Sequence, residues 1–301
     1  MLKLSSVILL IFVSFIGSAQ INMVVKAGGF LFMEGKDSIF FYQKSMKDKN
    51  GEYGRCHYIH PLYSPDGSRI TEDFPADHLH HRGIFWAWHQ IFIGDKQVSD
   101  GWELKYFQQK VTNFEFILLN GKGVINTTVE WKSPLWENGK KAYIKEDTRI
   151  IIHPLESNCR QIDFEIKLKA LTDRLSIGGS ADDKGYGGFS ARLRLPEDVK
   201  FFSDKTCVEP QNSAIQAGNF MNITGTFLNE QKPGGVVIYS NPENPKPSNN
   251  WILRKSASMQ NVAFPGSNPV AIPFEHPITL KYSILVYQGT VSPKLINKIF
   301  R

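Results

Sequence analysis

Hydrophobic and polar residues alternate with a period of two along much of the chain, which is the pattern of β-strands that bury one face. The segment RQIDFEIKLKAL, residues 160–171, shows this most clearly. Apolar residues occupy the even positions from Ile162 to Leu168, and charged residues occupy the odd positions from Asp163 to Lys169. We therefore expect one face of this strand to pack against a core and the other to face water.

Similar segments precede and follow this one, separated by clusters of Gly, Pro, Asn and Asp. Because no helical crossovers lie between these long strands, they predict antiparallel sheets and an all-β sandwich or barrel rather than an α/β sheet. The segments are SIFFYQKS (38–45), WELKYFQQKVTNFEFILL (102–119), GVINTTVEWKS (123–133), KAYIKEDTRIIIH (141–153), GGVVIYS (234–240) and ITLKYSILVYQG (278–289).

The C-terminal segment SPKLINKIFR (292–301) is typical of a short helix, with Ser292 as the N-cap and Pro293 at the first helical position. The stretch SNPENPKPSNN (240–250) is predicted to be a surface loop between two strands. No linker rich in Pro or Ser and no internal repeat divides the chain. We predict a single large antiparallel β-sandwich over residues 20–301, ending in this helix.

The N-terminal segment MLKLSSVILLIFVSFIGSAQ has the organisation of a secretory signal peptide. One lysine precedes an apolar run at residues 7–16, and small residues precede Gln20, so we expect residues 1–19 to be removed after Ala19. The run is shorter than the ~20 residues that span a bilayer, and no later segment is long enough. We therefore expect a soluble protein, either periplasmic or secreted.

Composition adds little to this picture. Of the 301 residues, 42% are hydrophobic and 21% are charged, which is typical of a globular protein. The net charge of +6 is spread thinly, so no nucleic-acid partner is expected. Cys56, Cys159 and Cys207 are compatible with one disulfide and one free thiol, or with free thiols alone.

The most unusual feature is the stretch DFPADHLHHRGIFWAW, residues 73–88, which combines three histidines with a run of aromatic residues. If this stretch is extended, His78 and His80 share one face and His81 points the other way. His153 and His276 stand alone, whereas the other six of the eight histidines lie close together: His57, His60, His78, His80, His81 and His89.

Three uses of this cluster are open. His78 and His80 could hold a divalent metal such as Zn²⁺ or Ca²⁺, together with His57, His60 or Asp77. Alternatively, His80 or His81 could act as a general acid or base, oriented by Asp77 or Glu72. In the third interpretation the imidazoles only bond the backbone of a polar loop. The neighbouring carboxylates, Arg82 and the tryptophans favour a functional site.

The aromatic residues around the cluster suggest a ligand class. Sugars stack their C–H faces on flat aromatic surfaces while their hydroxyl groups need polar partners. The alternative is that most of these side chains fill the core, and we expect at most two of the four tryptophans to line a pocket. The aromatic residues are Trp86, Trp88, Trp102, Trp136, Tyr63 and Tyr106.

A second candidate is SADDKGYGGFSARLRL, residues 180–195. Its three glycines allow a sharp turn that could present Asp182, Lys184 and Tyr186, with Arg192 on the following strand. It matches neither phosphate-binding glycine motif. The alternative is a tight hairpin connection.

The segments HYIHPLYSPDGSRITEDFPADHLHHRGIFWAW (57–88) and DKGYGGFSARL (183–193) resemble the secreted bacterial family labelled "methane oxygenase PmoA", also described as a domain of unknown function. The resemblance covers nearly the whole mature chain. It implies a β-supersandwich similar to galactose mutarotases, whose sites use a histidine and a carboxylate for proton transfer on a sugar. Oxygenase activity is not expected, because the membrane monooxygenase subunit spans the bilayer and this chain has no suitable segment.

These observations predict an enzyme that acts on a sugar or modified glycoside by epimerisation, elimination or hydrolysis, without an organic cofactor. The alternatives are a non-catalytic carbohydrate-binding protein and a structural envelope protein. The prediction of a sugar-acting enzyme requires the two motifs to meet in one cleft. Its catalytic residues are His80, His81, Asp77, Glu72 and Tyr186; its substrate-binding residues are His60, Arg82, Trp86, Trp102, Lys184 and Arg192.

Overall fold

The computed structural model describes residues 20–227, 232–247 and 249–300, so the predicted signal peptide lies outside the described residues. The described residues form 24 β-strands, one 3₁₀ helix and one α-helix. In chain order the strands are β1 (Ile21–Lys26), β2 (Gly29–Glu34), β3 (Asp37–Gln43), β4 (Lys47–Lys49), β5 (Glu52–Arg55), β6 (Tyr58–Leu62), β7 (Ile84–Trp88), β8 (Gln90–Ile93), β9 (Lys96–Ser99), β10 (Gln108–Leu119), β11 (Lys122–Lys132), β12 (Ile144–Ile152), β13 (Cys159–Ala170), β14 (Leu175–Gly178), β15 (Gly187–Ala191), β16 (Lys200–Ser203), β17 (Thr206–Cys207), β18 (Ile215–Gln216), β19 (Phe220–Gly225), β20 (Gly234–Ser240), β21 (Asn250–Ile252), β22 (Gln260–Ala263), β23 (Val270–Ala271) and β24 (Ile278–Gln288); the 3₁₀ helix is Glu137–Gly139 and α1 is Pro293–Ile299.

Two nine-stranded antiparallel sheets dominate the fold, as expected for an all-β sandwich. The first sheet has the strand order β1-β2-β3-β6-β7-β15-β22-β21-β18, and the second has the order β10-β11-β12-β13-β24-β20-β19-β16-β17. Apolar side chains of both sheets form one large buried core, which includes Phe40 of the first sheet and Phe164 of the second. The predicted fold class is confirmed.

Strand β13 has the two-faced character that its sequence predicts. From Ile162 to Ala170 its even-numbered residues are buried, and Glu165, Lys167 and Lys169 are exposed. Its neighbours β12 and β24 pair with it in continuous antiparallel register. The alternation therefore places one apolar face against the first sheet and leaves the charged face outside.

One predicted strand is shorter than the pattern suggests. The segment 102–119 is extended only over β10, because residues 102–107 form turns. The carboxylate of Asp100 accepts hydrogen bonds from the main-chain N–H groups of Trp102 and Glu103, and Leu104 and Tyr106 adopt positive φ angles of 63° and 54°. These conformations are incompatible with a strand.

The C-terminal helix begins as predicted. The hydroxyl of Ser292 accepts a hydrogen bond from the main-chain N–H of Leu295 at 3.2 Å, and Pro293 is the first helical residue. Ile296 of α1 is buried in a small apolar cluster with Val237 and Leu285 of the second sheet. In the described part of the predicted 240–250 loop, the chain connects β20 to β21.

The pairing of β7 with β15 brings the two sequence motifs together. The strands are antiparallel, with Ile84 opposite Ala191 and Trp88 opposite Gly187. The loop before β7 therefore lies beside the segment that follows β15, and the glycine-rich loop before β15 lies beside the residues that follow β7.

Two smaller observations complete the fold. Cys56 and Cys159 are buried free thiols, and Cys207 is an exposed one. None of the helices in the described part of the chain is long and apolar enough to cross a membrane.

Candidate functional site

A cleft of about 290 Å³ lies where the two motifs meet. Three of the residues around it come from the histidine-rich loop and two come from the glycine-rich loop. The cleft is lined by His78, His80, His81, His89, Trp102, Glu103, Lys184, Tyr186, Arg254, Ser256, Ala257 and Met259.

The three histidines before β7 point into the same region, contrary to the expectation for an extended strand. The loop turns twice, because the main-chain N–H of His78 bonds the carbonyl of Pro75 and that of His81 bonds the carbonyl of His78. The rings of His78 and His81 stack with their centroids 4.6 Å apart, and His80 packs edge-on at 4.4 Å from His81. The expectation that His81 points away from the other two is wrong, because it assumed an extended backbone.

Arg192 is the link between the two motifs. Its Nε donates to Glu72 at 2.8 Å, one terminal nitrogen donates to Asp77 at 2.7 Å, and the other lies 3.4 Å from Nδ1 of His81. Although burial favours the protonated form, the hydrogen bonds from Arg192 and His78 keep the pKa of Asp77 below its ordinary value. Arg192 therefore binds Glu72 and Asp77 and contacts His81, an arrangement compatible with the orienting role expected for the two carboxylates.

This contact determines which nitrogen of His81 carries the proton. A guanidinium group only donates hydrogen bonds, so Nδ1 of His81 accepts and Nε2 carries the hydrogen of the neutral ring. Burial, with the nearby His80, His78, Arg192 and Arg55, lowers the pKa of His81 far below the ordinary histidine value. His81 is therefore a neutral N–H donor at physiological pH.

His80 is also neutral at physiological pH. Burial is the main cause, and Arg55, His78 and His89 add to it, so the pKa of His80 falls to about 3. Its Nε2 lies 3.6 Å from Glu103 Oε1, which is longer than a hydrogen bond.

His89 has the opposite tautomer from His81. Its Nδ1 lies 2.9 Å from Oδ2 of Asp100, whose other oxygen accepts from the main chain of Trp102 and Glu103. Since the carboxylate accepts, Nδ1 of His89 donates, and Nε2 is the nitrogen that can take up or release a proton. Sequence reasoning missed this Asp–His pair as a site, because the two residues are 11 positions apart and meet only when β8 folds back on β9.

Trp102 forms the floor of the cleft. His89 stacks on it with ring centroids 5.4 Å apart, and His81 meets it edge-on at 5.9 Å. Tyr186 packs at 5.3 Å from the same indole, and burial raises the pKa of its hydroxyl although the nearby Arg254 opposes this. Tyr186 therefore keeps its proton at neutral pH.

The glycine-rich loop is held by its own polar residues. The carboxylate of Asp182 accepts from the Ser180 hydroxyl and from the main-chain N–H groups of Lys184 and Gly185. The φ angles of Gly185 and Gly188 are 66° and 97°, a region that favours glycine. The loop thus presents Lys184 and Tyr186 to the cleft, as predicted, while Asp182 stays with its own backbone.

Three predicted substrate-binding residues lie away from the cleft. Trp86 lies on the core face of β7, where its indole N–H donates to Glu146 at 2.7 Å. Arg82 is fully buried, with its guanidinium 3.4 Å above the Phe74 ring and in contact with Asp73. Nδ1 of His60 bonds the hydroxyl of Thr71 at 3.0 Å.

These three assignments are wrong for a common reason. Composition does not reveal which face of β7 carries Trp86, nor that the polar partners of Arg82 and His60 already lie within the fold. Of the four tryptophans considered, only Trp102 is among the residues that line the cleft.

No arrangement of three or more His, Cys, Asp or Glu side chains suited to a metal ion is found within residues 20–227, 232–247 and 249–300. The rings of His78 and His80 are 5.7 Å apart between centroids. The metal site at these two residues stays a prediction.

Comparison with known proteins gives one informative result. No curated protein matches the chain. A family model described as "Family of unknown function (DUF6807)" matches residues 31–301, a range that contains both sequence motifs and the whole cleft. The chain therefore belongs to the family of unknown function DUF6807.

Proposed function

We propose that the protein is a carbohydrate-active enzyme that catalyses proton transfer on a sugar or modified glycoside in the cleft above Trp102. The observation that carries this proposal is a pair of imidazoles in contact with Trp102: His81 accepts from Arg192 through Nδ1, whereas His89 donates to Asp100 through Nδ1. A donor and an acceptor held side by side are what general acid–base chemistry at neutral pH requires.

Each residue has a definite part in this chemistry. The lone pair on Nε2 of His89 accepts a proton from the substrate, and Asp100 stabilises the imidazolium that forms. The Nε2–H of His81 donates a hydrogen bond to the substrate oxygen on which negative charge develops. Because burial keeps His81 neutral, it acts as a hydrogen-bond donor rather than as a cationic acid. The Tyr186 hydroxyl is a second donor.

A sugar fits the cleft better than a purely apolar ligand. The volume of about 290 Å³ suits one ring-sized ligand. Trp102, largely covered by His89, closes the base of the cleft, and the imidazoles, Tyr186 and Lys184 supply polar partners for hydroxyl groups.

The resemblance to the PmoA-labelled family, and through it to the supersandwich of galactose mutarotases, supports the same ligand class by analogy of fold. Two nine-stranded antiparallel sheets are compatible with that architecture. Within this proposal the reaction is an epimerisation, an elimination or a hydrolysis, and the periplasm or the cell exterior is its proposed location.

A larger groove of about 450 Å³ lies on the outer face of the second sheet, beside the C-terminal helix. Its described lining includes Asp163, Glu165 and Lys281 but no histidine. We therefore favour the cleft above Trp102 for acid–base chemistry.

The proposal is tested by incubating the protein with neutral monosaccharides, their methyl glycosides and uronic acids and following products by proton NMR. We expect conversion of at least one compound. His89→Gln should lower its rate by about 100-fold or more. His276→Gln is the matched control, because His276 is exposed and lies outside the cleft.

Two results would count against the proposal. Binding of a sugar without conversion by the wild type would favour the alternative, a non-catalytic carbohydrate-binding protein. A conversion that His89→Gln leaves unchanged would remove the cleft from the reaction.

A further inference from the structure

We propose that the ligand of the cleft is a sugar acid whose carboxylate binds Arg254, with Lys184 beside it. This inference rests on the proposed function and narrows its substrate class. It depends on the charges around the cleft, and in particular on two guanidinium groups that have no carboxylate within 4 Å among the described residues.

Arg254 is held in place without being neutralised. Its terminal nitrogens donate to the main-chain carbonyls of Gln211 at 2.5 Å, Leu253 at 2.8 Å and Asn212 at 2.9 Å. Among the described residues no carboxylate lies within 4 Å of it. Three of its five N–H groups are thus occupied by carbonyl oxygens, and the guanidinium lies 5.5 Å from the centre of the Tyr186 ring at the cleft wall. A fixed planar fork with residual donors is suited to a carboxylate.

Arg55 adds a second positive charge beneath the floor, which the nearby Asp100 partly offsets. It is fully buried, and a terminal nitrogen donates to the carbonyl of Gly101 at 2.7 Å and lies 3.4 Å from that of Trp102. Burial lowers the pKa of Arg55 to about 9, so it is still protonated at neutral pH. Within the described part of the chain it has no carboxylate within 4 Å. A buried charge in a medium of low dielectric constant creates a positive potential in the space above it.

The acidic groups near the cleft offset part of this charge without contacting Arg254. Asp100 attracts Arg55 electrostatically and bonds His89. Glu103 is the one carboxylate in the described lining, and it lies next to His80. Asp182 lies 3.6 Å from Nζ of Lys184, and both side chains are nearly half exposed, which weakens the pair. Arg192 is bound to both Glu72 and Asp77, so its guanidinium offers no free charge to a ligand. The carboxylate of an anionic ligand would therefore find a preorganised hydrogen-bond donor in Arg254, with Lys184 beside it.

A carboxylate on the substrate also suits a histidine base. His89 would take the proton from the carbon next to the carboxylate, and the electron pair of the C–H bond would enter the enolate that forms. The added negative charge would reside on the carboxylate oxygens, next to Arg254 and Lys184. Return of a proton to the same carbon gives the epimer, and loss of a leaving group from the next carbon gives an unsaturated sugar acid. Neither outcome needs an oxidant or a reductant.

The test is calorimetric binding of two matched pairs of probes, galacturonate against galactose and glucuronate against glucose. Wild-type protein should bind one uronate at least about tenfold more tightly than its neutral partner, as expected for charge-assisted hydrogen bonds. Added NaCl should weaken uronate binding and leave binding of the neutral sugar nearly unchanged.

Three variants define the contribution of Arg254. Arg254→Met should abolish the preference for the uronate, and Arg254→Lys should retain part of it, because the charge remains and the fork is lost. Lys255→Met is the matched control, since Lys255 pairs with Glu209 at 3.1 Å and does not line the cleft. Thermal unfolding of each variant checks that the fold is intact, and the salt dependence of the wild type tests the inference independently of the variants.

The outcomes separate this inference from the proposed function. Equal binding of both members of each pair, or a preference that Arg254→Met leaves unchanged, would overturn the sugar-acid inference alone, and conversion of a neutral sugar dependent on His89 would leave the proposed function standing. Wild-type protein that bound neither member of either pair would overturn both.

Discussion

At the scale of single residues, the cleft depends on which imidazole nitrogen carries the proton. Arg192 and Asp100 fix opposite tautomers of His81 and His89, and burial keeps His81 neutral. Supporting groups that determine the tautomer of a histidine are a recurrent feature of catalytic sites. Glu72 and Asp77, which the sequence offered as orienting acids, serve this purpose through Arg192.

The tautomers are directly measurable. In protein labelled with ¹⁵N-histidine, we predict that Nε2 of His81 and Nδ1 of His89 each carry a hydrogen. Arg192→Lys should disturb the His81 signals and leave those of His89 in place, because the guanidinium fork is lost only at His81. A neutral His81 protonated at Nδ1 would contradict the assignment.

The low pKa of His80 predicts how stability changes with pH. The unfolded ring titrates near ~6.5, and the folded ring at about 3. Between these values the unfolded state binds more protons, so acidification lowers the free energy of unfolding by about 1.4 kcal/mol per pH unit for such a ring. The contribution is fully present above the unfolded pKa and is lost as pH falls below it.

Chemical denaturation between pH 7 and pH 5 measures this effect. His80→Asn should flatten the pH dependence of the free energy of unfolding, while the exposed His276→Asn should not. An unchanged slope in His80→Asn would show that the ring titrates normally in the folded protein.

Only part of the residue-level site could be predicted from the sequence. Clustering singled out His80 and His81, and loop composition singled out Lys184 and Tyr186, all of which line the cleft. His89 lacked its partner, because Asp100 joins it only through tertiary folding. The burial of Arg82 likewise depends on Asp73 and Phe74 closing around it, which no local pattern encodes.

At the scale of elements, the two sheets are joined by a buried polar network. Glu146 of β12 is fully buried and accepts hydrogen bonds from Trp86 of the first sheet and Trp131 of the second, at 2.7 and 2.9 Å. It also lies 2.7 Å from Nε2 of His57. Burial alone would raise the pKa of Glu146, but His57 and the hydrogen bonds lower it. Trp86 of β7 thus stabilises the core and does not form a ligand-binding surface.

Removing the charge of Glu146 should be costly. We predict that Glu146→Gln lowers the free energy of unfolding by about 3–5 kcal/mol. The buried hydrogen-bond donors around Glu146 would lose the carboxylate oxygens that accept from them. Glu165→Gln, on the exposed face of β13, is the control and should change stability by about 0.5 kcal/mol or less. A small effect of Glu146→Gln in urea denaturation would show that the network contributes little.

Gly188, near the start of β15, can be compared with Gly121 for the cost of adding a methyl group. Gly188 and Gly121 have positive φ angles of 97° and 77°, but a Cβ on Gly188 would lie 2.7 Å from the carbonyl oxygen of Val262, whereas a Cβ on Gly121 meets nothing within 4 Å. Gly121→Ala should cost about 1 kcal/mol through backbone strain.

Gly188→Ala should cost at least about 1 kcal/mol more than Gly121→Ala, because β22 must move to accommodate the methyl group. Thermal or urea denaturation of both variants provides the measurement. Equal losses would show that the close approach of β15 and β22 relaxes easily.

At the scale of the whole molecule, the fold follows from sequence patterns more fully than the site does. Period-two alternation in segments such as 160–171 predicts strands with one buried face, and the absence of crossover helices predicts antiparallel sheets. The order of the strands in each sheet is not contained in these patterns. It is this order, with β7 beside β15, that brings residues about 100 positions apart in sequence into one cleft.

The central claim, that this cleft is the ligand site, is tested most directly by the histidine side chains themselves. Of the chain's eight histidines, four line the cleft, while His57, His60, His153 and His276 lie elsewhere. On addition of galacturonate, NMR of ¹⁵N-histidine-labelled protein should show shifts confined to His78, His80, His81 and His89. Shifts centred on His153, or saturable binding of the sugar that leaves all four cleft histidines unchanged, would contradict the account.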